Sequence, residues 1–136
     1  MRFMMFIYPA HHGETAEMTA DQVEAMMKYN EELTRAGALL ALDGLHSPAD
    51  GVRVSFSGGR RSVVDGPFAE AKELIGGYWI IDVRSKEEAV EWASRCPAAD
   101  GDMIEVRRMQ EFADFPEEVQ DVATLSQDPP EQTSAS

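Results

Sequence analysis

Apolar residues in this chain come in short runs, and the spacing within the runs changes along its length. "RFMMFIY" (2–8) is apolar at nearly every position, which suits a central strand covered on both faces. A polar loop, "HHGETAEM", follows. Thr19 then stands as an N-cap, with Gln22 three residues on to close a capping box and with Met18 and Val23 placed as a hydrophobic staple. Val23, Met26, Met27, Asn30 and Leu33 form one mostly apolar stripe at helical spacing, and Gly37 is placed to end the helix in the left-handed conformation. "ALLALDGL" (38–45) reads as a second strand, stopped by "HSPADG".

"VRVSF" and "RRSVV", separated by "SGG", predict a hairpin. "YWIIDV" (78–83) is again apolar on both faces. Ser85 and Glu88 make a second capping box, Ala89, Trp92, Ala93 and Cys96 an inner helix face, and Pro97 a stop. "MIEVRRM" (103–109) alternates, with Ile104 and Val106 on one side and Glu105 and Arg107 on the other. The order is β-α-β, a hairpin, then β-α-β. It predicts an α+β, ferredoxin-like βαββαβ fold with an inserted β-hairpin, an antiparallel sheet and helices on one face. The two central strands of that topology are the first and the third of the core four, which here are the two most apolar. Helices on one face leave the other in need of cover, so the pattern also predicts a homodimer through the open sheet face.

Composition narrows the function classes. At 136 residues the chain is one domain, long enough to bury roughly two-thirds of its unfolded surface. The net charge is −13, and residues 111–136 hold seven acids and no Lys or Arg, leaving 18 acids against 12 bases in residues 1–110. The expected division is therefore a domain over 1–110 and an acidic extension over 111–136, with a short helix in "FADFPEEVQDVATL" (anchored by Phe112, Phe115, Val119 and Leu125) and a disordered end. Such a balance argues against nucleic acid and against an anionic membrane surface as partners. A single cysteine, Cys96, excludes an internal disulfide, and the apolar start is too short for a membrane span and a poor signal peptide. The expected compartment is the cytoplasm.

Four pieces carry a resemblance: "RFMMFIY" at the start, "DGPFAEAKE" (65–73), "GGYWIIDVRSKEEAVEWASRCP" (76–97) and "IEVRRM" (104–109). In that order and over nearly all of residues 1–110, the chain resembles the YCII-related family, and within it the DGPF-domain subgroup. The resemblance implies a dimeric α+β barrel, with two ferredoxin-like protomers packed sheet to sheet and a cleft beside each sheet. It implies bacterial, cytoplasmic proteins, some encoded beside alternative sigma factors. It also implies an active-site pair of one His and one Asp, and kinship with small-molecule isomerases, lyases and monooxygenases. The Asp carries over to Asp65; no motif assigns the His.

Two readings of Asp65 stand side by side. As a turn residue it accepts backbone N–H bonds two or three positions on, Pro67 opens a short helical turn and Phe68 pins that turn to the core. As a catalytic carboxylate it faces the cleft and acts as general base or orients an imidazole. His46, at the end of the second strand, is the best catalytic partner on offer, because the hairpin leads from there back to Asp65. Tyr8, Phe68 and Arg107 are candidate binding residues, Arg107 through a bidentate contact to a carboxylate or through pairing with Glu105. His11 and His12 with Glu14 and Glu17 match no metal motif and read as solvated loop, and Glu70, Lys72 and Glu73 read as an exposed turn. No metal or other cofactor is called for. Two functions follow as expectations: a cofactor-free enzyme of the isomerase or lyase type with its cleft near DGPF, or a non-catalytic dimeric module that senses a ligand or binds a partner, linked to sigma-factor regulation.

Overall fold

The computed structural model describes residues 1–10, 18–68 and 73–122. The main sheet has four antiparallel strands in the order β2-β5-β1-β6, where β1 is Arg2–Tyr8, β2 Leu39–Gly44, β5 Gly77–Asp82 and β6 Met103–Arg108. The two most apolar strands, β1 and β5, are central, as their pattern requires. The helices α1 (Ala20–Arg35) and α2 (Lys86–Ser94) cover one face. A separate two-stranded arm is formed by β3 (Val52–Ser57) and β4 (Arg60–Asp65), joined through Gly58 and Gly59, both at positive φ. The fold is α+β and ferredoxin-like, with the hairpin inserted between its halves.

Strand register sorts the side chains between faces, because directly paired residues lie on the same side. Phe3, Met5, Trp79, Ile81 and, after a bulge in β2, Leu42 face the helices. Met5, Leu33 and Ile81 are the largest wholly buried side chains. Tyr29 of α1 sits edge-on to Trp79 of β5 and to Trp92 of α2, with ring centroids 6.0 and 6.3 Å apart. Its hydroxyl donates to the Trp92 carbonyl at 2.6 Å, and Trp79 Nε1 donates to Asn30 Oδ1 at 2.9 Å. One helix turn thereby grips both the sheet and the second helix.

The helix starts follow their sequence signals with two differences. The Thr19–Gln22 capping box is complete: Gln22 N–H donates to Thr19 Oγ1 and Thr19 N–H to Gln22 Oε1. Ser85 caps Glu88 N–H, but the Glu88 carboxylate accepts from Arg84 N–H rather than closing the box on Ser85. The inner stripe of α1 is also rotated from the predicted one. Tyr29 and Leu33 are buried and Met26 packs against the core, whereas Val23 and Met27 are 43% and 66% exposed. Tyr29 is not part of the predicted stripe, yet its hydroxyl finds the Trp92 carbonyl and its ring fills the core.

Beyond β6 the chain turns through a 3-10 turn at Phe112–Asp114 into α3 (Glu117–Gln120), with Phe112 and Phe115 half-buried. The Arg2 guanidinium grips the Glu111 carboxylate at 2.7 and 3.1 Å, and Arg108 stands 3.7 Å from Asp114. The start of the acidic extension is thus tied to the sheet. Leu125 and the end of the extension lie outside the described residues.

Removing the Tyr29 hydroxyl by Tyr29→Phe is expected to destabilise by about 1 kcal/mol, and Leu33→Ala by about 2–5 kcal/mol, read from the midpoint of urea unfolding. The hydrogen bonds and charge of Arg2 hold the Glu111 carboxyl below its ordinary value of 4.5. That contribution is present above the ordinary value and is lost as pH falls through the lowered one. Wild type is therefore expected to lose more stability on acidification below about pH 4.5 than Glu111→Gln does, measured by thermal melts across pH.

Candidate functional site

The uncovered sheet face carries two rows of side chains set by the register. One row runs Ala41, Ile80, Met4, Arg107; the next runs Asp43, Tyr78, Phe6, Glu105. Tyr8 lies one step further along β1, paired with Met103. Met4, Phe6 and Ile80 make a half-buried apolar floor. Around them stand two phenol–carboxylate pairs. The Tyr78 hydroxyl donates to Asp43 Oδ2 at 2.9 Å, and the Tyr8 hydroxyl lies 3.5 Å from Glu105 Oε1. Arg107, 72% exposed, stands 3.9 Å from the Glu105 carboxylate.

The electrostatics of the two phenols differ in cause. Partial burial, then the carboxylates of Glu105 and Glu73, push Tyr8 above its ordinary value. For Tyr78 the hydrogen bond to Asp43 comes first, then that carboxylate's charge. Both phenols therefore stay protonated to higher pH than a free tyrosine, each with its one O–H directed at a neighbouring carboxylate. Glu73 reaches this neighbourhood because the backbone after it lies flat against the end of β1. Gly76 N–H donates to the Ile7 carbonyl at 2.8 Å, and a Cβ on Gly76 would come within 2.6 Å of the Pro9 ring.

On the other side of residues 73–75 lies a shallow hollow of about 280 Å³, lined by His46, Ser47, Asp50, Phe68, Leu74 and Ile75. His46 and Phe68 meet here, at the end of the sheet where β2 finishes. Phe68 is half-buried, and the Arg53 guanidinium lies 4.1 Å above its ring. Asp65 is not in the hollow wall. It ends β4, exposed, paired across the arm with Val52, and no hydrogen bond or ion pair joins it to His46 or to any other described residue. Of the five residues singled out from sequence, the structure brings His46 and Phe68 together, sets Tyr8 and Arg107 on opposite sides of Glu105, and leaves Asp65 apart.

The glycine of "DGPF" has the clearest steric reason for its identity. Gly66 N–H donates to the Gly51 carbonyl at 2.8 Å, and the Gly66–Pro67 peptide is cis. A Cβ at Gly66 would overlap the Pro48 carbonyl oxygen. The motif thus seats the base of the arm directly on the Pro48–Gly51 turn. Tyr78, Asp43 and Glu105 were not among the sequence candidates, except Glu105 as a partner for Arg107. Period-2 alternation carries the missing signal: once Trp79 and Ile81 point inward, Tyr78 and Ile80 must point to the open face. His11, His12, Glu14, Glu17, Glu70 and Lys72 lie outside the described residues.

Gly66→Ala is expected to lower stability by at least about 1–3 kcal/mol, because the methyl meets backbone. Gly44→Ala, where nothing lies within 4 Å of the new methyl, should melt close to wild type. Spectrophotometric titration at the phenolate band should show Tyr8 and Tyr78 ionising above free tyrosine. Because these values are raised by folding, the stability carried by the neutral phenols, such as the Tyr78 hydrogen bond to Asp43, is present below the ordinary phenol value and is lost as pH rises through the raised ones. Glu105→Gln should lower the Tyr8 value without returning it fully, since partial burial remains.

Comparison with known proteins agrees with this architecture. A 37-residue stretch is 49% identical to part of an uncharacterized protein of Rhizobium meliloti (strain 1021), covering 27% of this chain and 30% of that protein. The family model for the YCII-related domain matches residues 1–113, which takes in every strand of both sheets, α1 and α2. On that match the chain belongs to the YCII-related family.

Proposed function

We propose that the protein is a small-molecule enzyme of the proton-transfer type, of the DGPF subgroup, working as a bacterial cytoplasmic homodimer whose open sheet faces enclose the cleft. The observation that carries this reading is the group Tyr8, Glu105 and Arg107 beside an apolar floor. Its chemistry suits a substrate with an acidic C–H next to a carbonyl or carboxylate. Glu105 accepts the proton, and Tyr8, held protonated, donates a hydrogen bond to the oxygen where charge develops. Arg107 neutralises the substrate's anionic end. Return of the proton to a second carbon completes an isomerisation; loss of a leaving group completes an elimination. The Asp43–Tyr78 pair, across Phe6, hydrogen-bonds the far end of the ligand. Among the described residues no helix is long and apolar enough to cross a membrane.

A second reading, a module that binds a ligand or a partner without turnover, is favoured by one observation. The His46–Asp65 pair expected for catalysis is joined by no hydrogen bond or ion pair, and Asp65 does not line the hollow that His46 lines. Deuterium incorporation from D₂O into small enolisable keto and carboxylic acids, followed by proton NMR, separates the two. Under the enzyme reading, wild type exchanges at least one such compound and Glu105→Gln slows exchange roughly 10²–10⁴-fold. Arg107→Ala should raise the concentration of acid needed for half-maximal rate. Exchange as fast in Glu105→Gln as in wild type would sink the assignment of the base. Binding without exchange in both proteins would favour the second reading.

A further inference from the structure

All twelve residues of the β3–β4 arm are exposed. Its two faces differ sharply. Register places Val52 opposite Asp65, Val54 opposite Val63 and Phe56 opposite Arg61 on one face. Arg53, Ser55, Ser57, Arg60, Ser62 and Val64 take the other. Near its base the arm meets Phe68 through this second, polar face, where the Arg53 guanidinium lies over the ring. The apolar face is therefore the one turned away, with Phe56 75% and Val63 67% exposed. A two-stranded ribbon standing alone is marginal in water, and one with its apolar row outward lacks the burial that would hold it.

The outward face is complementary to itself. From base to tip its rungs read Val52/Asp65, Val54/Val63, Phe56/Arg61. A two-fold axis through the middle rung sets the tip of one arm against the base of another. Arg61 then meets an aspartate, Phe56 meets a valine, and the middle valines meet each other. The tip-to-tip alternative sets each Arg61 over the other copy's Phe56 and each Asp65 over the other copy's Val52, which gathers both arginines at one end, both aspartates at the other, and pairs neither charge. Arg61 and Asp65 are both exposed, and neither makes an ion pair with a described residue of its own chain.

We propose that the outward face of the arm is one half of a two-fold interface between two copies of this chain, with the arms crossed tip to base and Arg61 of each copy paired to the Asp65 of the other. The contact needs nothing from the open sheet face and stands or falls apart from the catalytic reading. It gives the acid of "DGPF" a role that neither a turn cap nor a cleft supplies: Gly66 seats the base of the arm, and Asp65, next to it, receives the second copy.

The test is sedimentation velocity over a range of concentrations on four full-length proteins: wild type, Arg61→Asp, Asp65→Arg and the double swap. Each single reversal places like charges face to face and is expected to weaken self-association at least tenfold. The double swap restores opposite charges and is expected to return it to within a few-fold of wild type. Val54→Lys, at the centre of the face, should weaken association in every background, with far-ultraviolet circular dichroism reporting that the fold is kept. A monomeric wild type, four proteins that associate equally, or a double swap no better than its parents would each overturn the proposal.

Discussion

The contact on which the rest of the architecture depends is Tyr29 wedged between Trp79 and Trp92. A ferredoxin-like sheet has two faces and only two substantial helices to cover them. Tyr29 decides the outcome by joining α1, β5 and α2 at a single point, through two edge-to-face ring contacts and one short hydrogen bond. With both of these helices held on the Phe3, Met5 and Ile81 side, neither covers the other face. Met4, Phe6 and Ile80 stay half-buried there, and every polar side chain that alternates with the core residues comes to surround them. The chemistry of the open face is a by-product of where the helices are pinned.

Two glycines then set the geometry at the end of that face. Gly76 allows the chain to lie against Pro9, which carries Glu73 toward Tyr8, and Gly66 allows the base of the arm to lie on the Pro48 carbonyl. Both are close approaches of backbone to neighbouring atoms, so the constraint is volume and not φ. This gives "DGPF" a meaning that its aspartate alone does not. The motif is first a packing device, and the direction in which its neighbours point follows from it.

Much of the fold was legible because its determinants are local. Caps, stops and the two consecutive apolar strands are written in adjacent residues, and β1 occupies residues 2–8 as its pattern predicts. The phase of α1 was not legible, because a stripe of Val and Met looks more apolar than one containing Tyr29. Only the Trp92 carbonyl, 63 residues away, makes that tyrosine a core residue. The site was hidden for the same reason. Tyr8 meets Glu105 across 97 positions and Asp43 meets Tyr78 across 35, through strand neighbours that exist only after the sheet has formed. Asp65 drew attention because its motif is contiguous, yet contiguity is what turns require and not what a cleft requires.

Charge distribution shapes how such a protein meets anything else. A chain with 25 acids and 12 bases repels its own kind at long range, though at physiological salt exposed charges are screened beyond about 8 Å. Association therefore depends on short-range terms, namely apolar burial and opposite charges placed within contact distance. The same reasoning applies to a small anion approaching the open face. Asp43, Asp82 and Glu105 point there, and Arg2 is engaged by Glu111, which leaves Arg107 as the exposed cation among the described residues of that face. Under the proposed function, an anionic ligand would be attracted at that one position and repelled at the others, which would set its orientation over Phe6 before any hydrogen bond to Tyr8 formed.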